Sequence, residues 1–232
     1  MITVKLAGLS IGIDNKFDYI EKYAKEYLTD EPPIFTVAVT DADLEREASL
    51  AEEEHTPGYL ESIAAYRKIA ERLPEFDAVV FHGAVLAHGG NAYAFTARSG
   101  VGKTTHTKLW ISTLDDVHYL NGDKPIIRMI DGVPHAFGTP WRGKEGYGVN
   151  ESAPLRAIAL LERGVTNSAK TVEAKDGALR LMSQIYISRN PMTVALTMRV
   201  ADRIAKAVRF VELRCNMDPE AAIVASEAMI QE

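Results

Sequence analysis

The 232-residue sequence has a single cysteine, lacks long apolar runs and carries no excess of positive charge. Because Cys215 has no second cysteine with which to pair, an internal disulfide is excluded, as is typical of a reducing cytoplasm. No apolar run is long enough to span a membrane, and the first residues lack the basic region, apolar stretch and cleavage site of a signal peptide. We therefore expect a cytoplasmic protein with no membrane partner.

The net charge of −6 also argues against a general nucleic-acid-binding protein, since nucleic-acid backbones attract basic surfaces. The sequence shows no internal repeats and no low-complexity segment. Its composition, 47% hydrophobic and 25% charged, is that of an ordinary globular protein. The length predicts one large domain, or a core with a small appendage.

The first portion of the chain, residues 1–76, is predicted to form a small α/β subdomain. Apolar residues with β-branched character predict strands, and apolar residues at helical spacing predict helices. The predicted elements are a strand or hairpin over 2–13, a helix over 15–28, a strand over 34–39, and helices over 40–54 and 57–73.

The second portion, residues 77–232, is predicted to contain hairpins as well as helices, which indicates a mixed α/β fold. Gly89-Gly90 and Asp131-Gly132 have the chemistry of two-residue hairpin turns. The predicted strands are 78–87, 91–97, 117–120, 126–130, 133–137, 157–162 and 208–214. The predicted helices are 103–112, 175–187, 192–207 and a last one capped at 218–219 that runs to about 230.

Residues 94–107, A-F-T-A-R-S-G-V-G-K-T-T-H-T, resemble a phosphate-binding loop of the Walker A type between a strand and a helix. Gly102, Lys103 and Thr104 fit the end of the pattern, whereas Ala97 replaces its first glycine. Consecutive backbone N–H groups in such a loop, together with the N-terminus of the next helix, bind phosphate oxygens. The alternative is an ordinary glycine-rich turn before a helix.

This loop leads us to predict ATP and Mg²⁺ as the cofactors. Lys103 would reach the β- and γ-phosphates, and the Thr104 hydroxyl would ligate Mg²⁺. The residues predicted to bind the nucleotide are Ser99, Gly100, Val101, Gly102, Lys103, Thr104 and Thr105.

Asp123 follows a short apolar strand downstream of the loop. An aspartate at this point can hold Mg²⁺ or a water bound to it, and it can accept a proton from an attacking hydroxyl. The alternative is a turn residue, because Asn121-Gly122-Asp123 is favourable turn chemistry.

Two further segments carry candidate catalytic residues. His82 belongs to the strand that pairs with the strand of the loop, and it is either a core histidine or a catalytic one. In the glycine-rich segment 138–148, Arg142 and Lys144 would neutralise charge on a transferred phosphoryl group, or else form a solvated basic turn. Trp141 either covers the site or packs in the core.

Together, F-H-G-A-V, a glycine hairpin, S-G-V-G-K-T-T and a strand ending in Gly122-Asp123 resemble the catalytic domain shared by HPr serine kinase/phosphorylase and ATP-dependent phosphoenolpyruvate carboxykinase. The resemblance covers about residues 81–161, and P-W-R-G-K-E-G is similar to a subgroup of small HPr-kinase-like proteins of unassigned substrate. It implies a mixed-sheet P-loop core that uses ATP and Mg²⁺. Relatives carry a second aspartate where this chain has Lys124, so Asp123 is the sole candidate for their metal and base.

Three functions are consistent with these residues. The leading hypothesis is an ATP-dependent kinase that phosphorylates a hydroxyl of a small molecule or of a protein serine. The second is an ATP-binding regulatory or accessory module that transfers no phosphate, and the third is a carboxykinase proper, against which the short N-terminal portion argues. The resemblance also leaves a homo-oligomer open. In the kinase hypothesis the catalytic residues are Asp123, Lys103, His82, Arg142 and Lys144.

Overall fold

The computed structural model describes residues 1–98 and 100–230. The chain divides into two compact units, Met1–Leu73 and a second that begins at Pro74. Within the described residues, no helix is both long enough and apolar enough to cross a membrane.

The first unit is built on a small sheet in which β1 and β2 form an antiparallel hairpin and β3 lies parallel to β2. The apolar residues of β2 and the N-terminal half of α3 supply much of its core. Its elements are β1 (Ile2–Leu6), β2 (Leu9–Asp14), α1 (Tyr19–Tyr23), β3 (Phe35–Ala38), α2 (Asp41–Leu50) and α3 (Pro57–Arg72).

Sequence and structure agree over most of this unit, but the predicted helix over 15–28 is too long. The chain forms only α1 and a short 3-10 turn at Lys25–Tyr27. Asp18 makes no side-chain capping hydrogen bond, and Ala24 leaves the helical region at φ −97° and ψ 19°. This kink ends α1 between Ile20 and Tyr27, both of which remain buried.

The second unit contains, in its described residues, a mixed sheet of nine strands with the order β4-β8-β9-β10-β6-β5-β7, to which β12 and then β11 are added beside β10. Its strands are β4 (Ala78–Val80), β5 (Ala84–His88), β6 (Asn91–Thr96), β7 (Val117–Asn121), β8 (Ile126–Ile130), β9 (Val133–Phe137), β10 (Ser152–Arg163), β11 (Ser168–Val172) and β12 (Arg209–Cys215). Its helices are α4 (Lys103–Thr113), α5 (Ala174–Met182), α6 (Pro191–Ala207) and α7 (Glu220–Ile230). The mixed α/β class predicted from the sequence is confirmed.

The strand directions bring three carboxyl ends to one edge of this sheet. β6 lies between β10, which is parallel to it, and β5, which is antiparallel. β7 is antiparallel to β5 and therefore runs in the same direction as β6. Loops that follow β6, β7 and β10 consequently meet at the same edge, the usual position of a ligand site in such sheets.

Helices cover both faces of the sheet, and the alternation along β6 shows why. Tyr93 and Phe95 point to the face covered by α4 and α7, where Trp110 is fully buried. Ala92 and Ala94 point to the opposite face, covered by α5 and α6. β6 thus presents bulky side chains to one layer of helices and small side chains to the other. The burial of apolar area on both faces stabilises the packing of the helices on the sheet.

The structure corrects two predictions for this unit and adds one strand. The strand predicted over 78–87 breaks into β4 and β5 at residues 81–83, because the N–H groups of these three residues donate to the carbonyls of Pro125, Gln184 and Asp123. The helix predicted over 175–187 ends at Met182, and Ile185 then forms an antiparallel bridge with Phe81. β11 is absent from the sequence prediction because this strand has no fully buried residue and so no apolar alternation.

Candidate phosphate-binding site

The loop between β6 and α4 has the backbone conformation that only glycine adopts readily. Gly100 has φ +76° and Gly102, the N-cap of α4, has φ +119°. A Cβ built on either residue would have no heavy atom within 4 Å, so the loop is open on this side. These glycines therefore serve backbone geometry and leave space for a ligand to approach the N–H groups. Ser99, predicted to bind the nucleotide, lies outside the described residues.

Arg163, at the end of β10, holds the loop by its carbonyl groups. Its Nη2 donates to the carbonyl oxygen of Gly100 at 2.5 Å, and its Nε donates to that of Val101 at 3.3 Å. A hydrogen bond from the Val101 N–H to the Arg98 carbonyl, at 3.2 Å, closes the turn. The carbonyl groups of residues 100 and 101 are thus tied to Arg163.

Three predicted residues occupy the first turn of α4. Lys103 is half-buried, and this burial lowers the pKa of its ammonium group, an effect that nearby Asp123 and Glu145 partly oppose and Lys124 reinforces. Thr104 is half-buried and Thr105 is exposed. The three side chains therefore begin at the N-terminus of an eleven-residue helix, where the helix dipole favours anions.

Asp123, just after β7, is the centre of a charged cluster. Both of its carboxylate oxygens lie 3.0 Å from Nζ of Lys124, and Oδ1 lies 3.4 Å from Nε2 of His82. Burial by itself would raise the pKa of this carboxyl, but the contacts with His82 and Lys124 and the charge of Lys103 hold it well below its usual range. Asp123 is therefore a carboxylate at every physiological pH.

His82 is not a core histidine, because its side chain is 56% exposed. It lies in the break between β4 and β5, where its own N–H donates to the carbonyl of Gln184 at 2.6 Å. The next N–H, that of Gly83, donates to the carbonyl of Asp123 at 3.0 Å. These backbone bonds fix His82 beside Asp123. Of the two roles that the sequence leaves open for His82, core or catalytic, its exposure excludes the first.

A buried network fixes the position of Asp123 and Lys124. Oδ1 of Asn121 accepts hydrogen bonds from the N–H groups of Asp123 and Lys124, at 2.9 and 2.7 Å. Its Nδ2 donates to the carbonyl and hydroxyl oxygens of Thr139, both at 3.1 Å, and the Thr139 hydroxyl donates to the carbonyl of Lys124 at 2.7 Å. Asn121 and Thr139 are both fully buried. The turn that the sequence predicts at 121–123 thus also holds the carboxylate.

The glycine-rich segment 138–148 folds over this turn. A Cβ on Gly143 would lie 2.9 Å from the Cβ of Asp123, so glycine is needed for the close approach. Arg142 precedes it and is half-buried, whereas Lys144 is exposed and, within residues 1–98 and 100–230, makes no hydrogen bond or ion pair. Trp141 is buried at 5% exposure, so it packs in the interior and does not cover the site.

A cavity of about 590 Å³ lies beside the phosphate loop, at the ends of β6, β10 and α5. Gln184 joins this cavity to His82, because its side-chain oxygen accepts a hydrogen bond from the Thr96 hydroxyl at 2.7 Å and its carbonyl binds the N–H of His82. The walls of the cavity carry both apolar and polar side chains. They comprise Thr96, Ala97, Arg98, Val101, Leu160, Leu161, Glu162, Arg163, Arg180, Ser183 and Gln184.

The metal ligands predicted from the sequence are Thr104 and Asp123. Within the part of the chain that the structure describes, no group of three or more His, Cys, Asp or Glu side chains could hold a metal ion. Mg²⁺ in nucleotide sites is nevertheless held by one or two protein groups, water and the phosphates themselves. One hydroxyl and one carboxylate fit a Mg²⁺ whose other ligands are nucleotide phosphates and water, once Lys124 leaves the carboxylate.

Four residues of this site are missing from the sequence prediction: Asn121, Thr139, Arg163 and Gln184. The role of Asn121 could be predicted from the Asn-Gly-Asp turn, since an asparagine side chain often accepts hydrogen bonds from the N–H groups that follow it. The other three act through contacts with residues 15 to 88 positions away in the chain. No local pattern in the sequence marks such contacts.

Comparison with known proteins does not assign this chain to a family. No family model matches the chain, and no curated protein is significantly similar to it in sequence. Among solved structures, the chain is similar to the HPr(Ser) kinase/phosphatase from Coxiella burnetii, with a TM-score of 0.38 and 7% sequence identity over 64% of this chain and 94% of that chain. Because the TM-score and identity are low, the function has to be inferred from the residues of this chain.

Proposed function

We propose that the chain is an ATP- and Mg²⁺-dependent phosphotransferase that phosphorylates a hydroxyl group of a small molecule or of a protein serine. The observation that carries this proposal is the meeting, at one sheet edge, of an open glycine loop, the half-buried ammonium of Lys103 and the carboxylate of Asp123. Phosphoryl transfer depends mainly on positioning and on neutralising charge, and these groups supply both.

The loop and α4 would bind the triphosphate. Burial makes the charged form of Lys103 costly in the free protein, and phosphate oxygens would offset that cost by pairing with the ammonium. Thr104 would direct its hydroxyl to the metal, and Arg163 would keep the loop in its binding conformation. Bound Mg²⁺ would neutralise charge on the phosphate oxygens.

Proton removal from the acceptor hydroxyl is assigned to His82. A carboxylate whose pKa is held far below its usual range is a weak base, so Asp123 is poorly suited to accept the proton. His82 is exposed, and its Nε2 lies 3.4 Å from Asp123 Oδ1. In this arrangement Asp123 orients the imidazole and contributes to metal binding.

The acceptor would enter through the cavity beside the loop. The cavity adjoins the phosphate loop at Ala97, Arg98 and Val101 and reaches His82 through Gln184. A volume of about 590 Å³ accommodates a small molecule or the side chain of a protein substrate. Arg142 and Lys144, on the segment that folds over Asp123, would add positive charge as the phosphoryl group moves.

The experiment that tests the proposal uses ATP labelled at the γ-phosphate, Mg²⁺ and the purified protein, with small-molecule and protein fractions of a cell extract as acceptors. We expect label to leave ATP and to appear in one acceptor fraction. Lys103→Ala should abolish this transfer, whereas Lys175→Ala, an exposed lysine on α5, should retain it. Equal transfer by wild type and Lys103→Ala would contradict the proposal.

A second function, ATP binding without transfer, is favoured by one observation, namely that Lys124 occupies both oxygens of Asp123. In a regulatory or accessory module this ion pair would persist when ATP is bound. Asp123→Asn separates the two functions. A kinase should lose turnover and keep measurable ATP binding, while a module of the second kind has no turnover in the wild type.

A further inference from the structure

Lys124 stands out because it neutralises the carboxylate of Asp123. Its Nζ lies 3.0 Å from each oxygen of Asp123, and both side chains are about 70% buried, with 29% and 28% of their surfaces exposed. An ammonium group at this distance from both oxygens occupies the side of the carboxylate that a cation would otherwise take.

This position is fixed by the fold. The Asn121 side chain accepts the N–H groups of both Asp123 and Lys124, and the Thr139 hydroxyl binds the carbonyl of Lys124. Because Asn121 and Thr139 are fully buried and bound to each other, the backbone at Lys124 has little freedom. Only the four-carbon side chain of Lys124 can move, and such a side chain is flexible.

The charges around the carboxylate favour an anion. Lys124 and Lys103 bring two positive charges to the carboxylate of Asp123, and His82 adds a hydrogen-bond donor, while the charge of Glu145 acts more weakly on Lys103. The described residues offer no group of three metal-ligating side chains. The positive charges of this cluster would therefore repel a divalent cation that arrives without a nucleotide. The same charges would attract a polyphosphate.

We infer that Lys124 is a second phosphate-binding lysine, and that the site binds the polyphosphate of a nucleotide before, and without, a divalent cation. On binding, the Lys124 ammonium leaves the carboxylate of Asp123 and pairs with phosphate oxygens. The freed carboxylate then becomes a ligand for the cation that follows. This inference rests on the proposed function, since it concerns the same nucleotide site.

The test is the binding of ATP measured by calorimetry, once in excess EDTA and once in excess Mg²⁺, for wild type and for Lys124→Met. We expect wild type to bind ATP in EDTA with an affinity within about tenfold of that in Mg²⁺. Lys124→Met keeps the length of the side chain but not its charge, and it should weaken binding in EDTA by at least tenfold, about 1.4 kcal/mol. Lys175→Met, on exposed α5, should match the wild type.

A second measurement keeps the test decisive if Lys124→Met is less stable. Manganese can be titrated in the absence of nucleotide and followed by electron paramagnetic resonance, because the bound ion loses its free signal. Removal of the Lys124 charge should strengthen manganese binding several-fold, and Lys124→Arg should not. No gain for Lys124→Met would contradict the inference that the Lys124 charge keeps a divalent cation from Asp123 in the free protein.

The outcomes distinguish the inference from the function on which it rests. ATP binding by wild type only when Mg²⁺ is present would overturn the inference and leave the phosphotransferase proposal standing. Equal ATP affinities of wild type and Lys124→Met in EDTA would do the same. An absence of ATP binding under both conditions would overturn the proposed function and the inference together.

Discussion

The guanidinium of Arg163 donates a hydrogen bond to the carbonyl oxygen of Gly100 at 2.5 Å and so joins the end of β10 to the phosphate loop. Since β10 is parallel to β6, the two strands end at the same edge of the sheet. The loop leaves β6 there and is bound from the side by its neighbour. Because Arg163 binds the carbonyl groups of the loop, it stabilises a loop conformation in which the N–H groups remain available for phosphate.

Substitution of Arg163 should therefore weaken nucleotide binding without unfolding the protein. We expect Arg163→Gln to lower ATP affinity about tenfold, because a charge-assisted hydrogen bond is lost and the bond is solvent-exposed, which limits its contribution. Equilibrium binding of ATP measures this change. Arg214→Gln is the control, since Arg214 lies on neighbouring β12 and pairs with Glu162 at the surface. Equal affinities for the two variants would contradict the assignment.

The conformation of Gly102 leads to a second prediction. Its φ of +119° is strained for any residue with a Cβ, so Gly102→Ala should lower the free energy of unfolding by about 1–2 kcal/mol. The same change at Gly146, with φ +69° in the glycine-rich segment, should have a similar effect on stability. Only Gly102→Ala should also lose ATP affinity, because only this residue begins the helix at the phosphate site. Urea unfolding and ATP titration of both variants check the contrast.

The parts of the site that lie close together in sequence are the parts that the sequence predicts well. Strand, glycine loop and helix over 91–113 follow from glycine conformations and from apolar spacing, both of which are local signals. The role of Lys124 is harder to predict, because the sequence shows only that a lysine stands where the proteins it resembles carry a second aspartate. Its contact with both oxygens of Asp123 depends on the turn held by Asn121 and Thr139.

That buried pair provides a third prediction. Asn121→Ala would leave the N–H groups of residues 123 and 124 without their acceptor, and we expect a loss of about 2–4 kcal/mol in the free energy of unfolding. Thr139→Val removes a hydroxyl but keeps the shape, and should cost about 1–2 kcal/mol. Thr171→Val, on exposed β11, is the matched control and should cost less than either. Urea unfolding followed by tryptophan fluorescence is suitable, since Trp110 and Trp141 both lie in the second unit.

Errors in the predicted fold arise where a contact with a distant residue overrides the local pattern. The apolar run over 78–87 reads as one strand, yet the N–H groups of residues 81–83 bind the carbonyls of Pro125, Gln184 and Asp123, and the run breaks there. Residues 183–187 continue the apolar spacing of α5, yet Ile185 pairs with Phe81 as a β-bridge. The first departure positions His82 and the second leads from the cavity residues Ser183 and Gln184, so local patterns fail at the place where the proposed chemistry occurs.

Filling the cavity gives a fourth prediction. Ser183 lines it and is exposed, so Ser183→Trp should place an indole in the space without burying a polar group elsewhere. If the acceptor binds there, this variant should raise the KM for the acceptor at least tenfold and leave ATP affinity within about threefold of the wild type. Ser49→Trp, on exposed α2 of the first unit, controls for the added surface indole. Loss of ATP affinity in Ser183→Trp would instead place the nucleoside in the cavity.

His106 provides a prediction about pH. It is 2% exposed, packs on Phe95, and neither ring nitrogen has a hydrogen-bond partner among the described residues. Burial lowers the pKa of His106 from 6.5 to about 4, so between these values the unfolded chain binds a proton that the folded protein does not. The free energy of unfolding should therefore fall as the pH is lowered from 6.5 to 4, by about 2–3 kcal/mol from this residue.

His106→Leu removes the titrating group while it keeps an apolar side chain against Phe95. Urea unfolding of the variant at pH 6.5 and at pH 4 should show a smaller drop in stability than the wild type, by the amount that His106 contributes. His135→Gln, on β9, retains the buried histidine and should follow the wild-type profile. Identical pH profiles for wild type and His106→Leu would mean that His106 is protonated equally in the folded and unfolded chains, which is incompatible with a neutral, buried imidazole behind the phosphate loop.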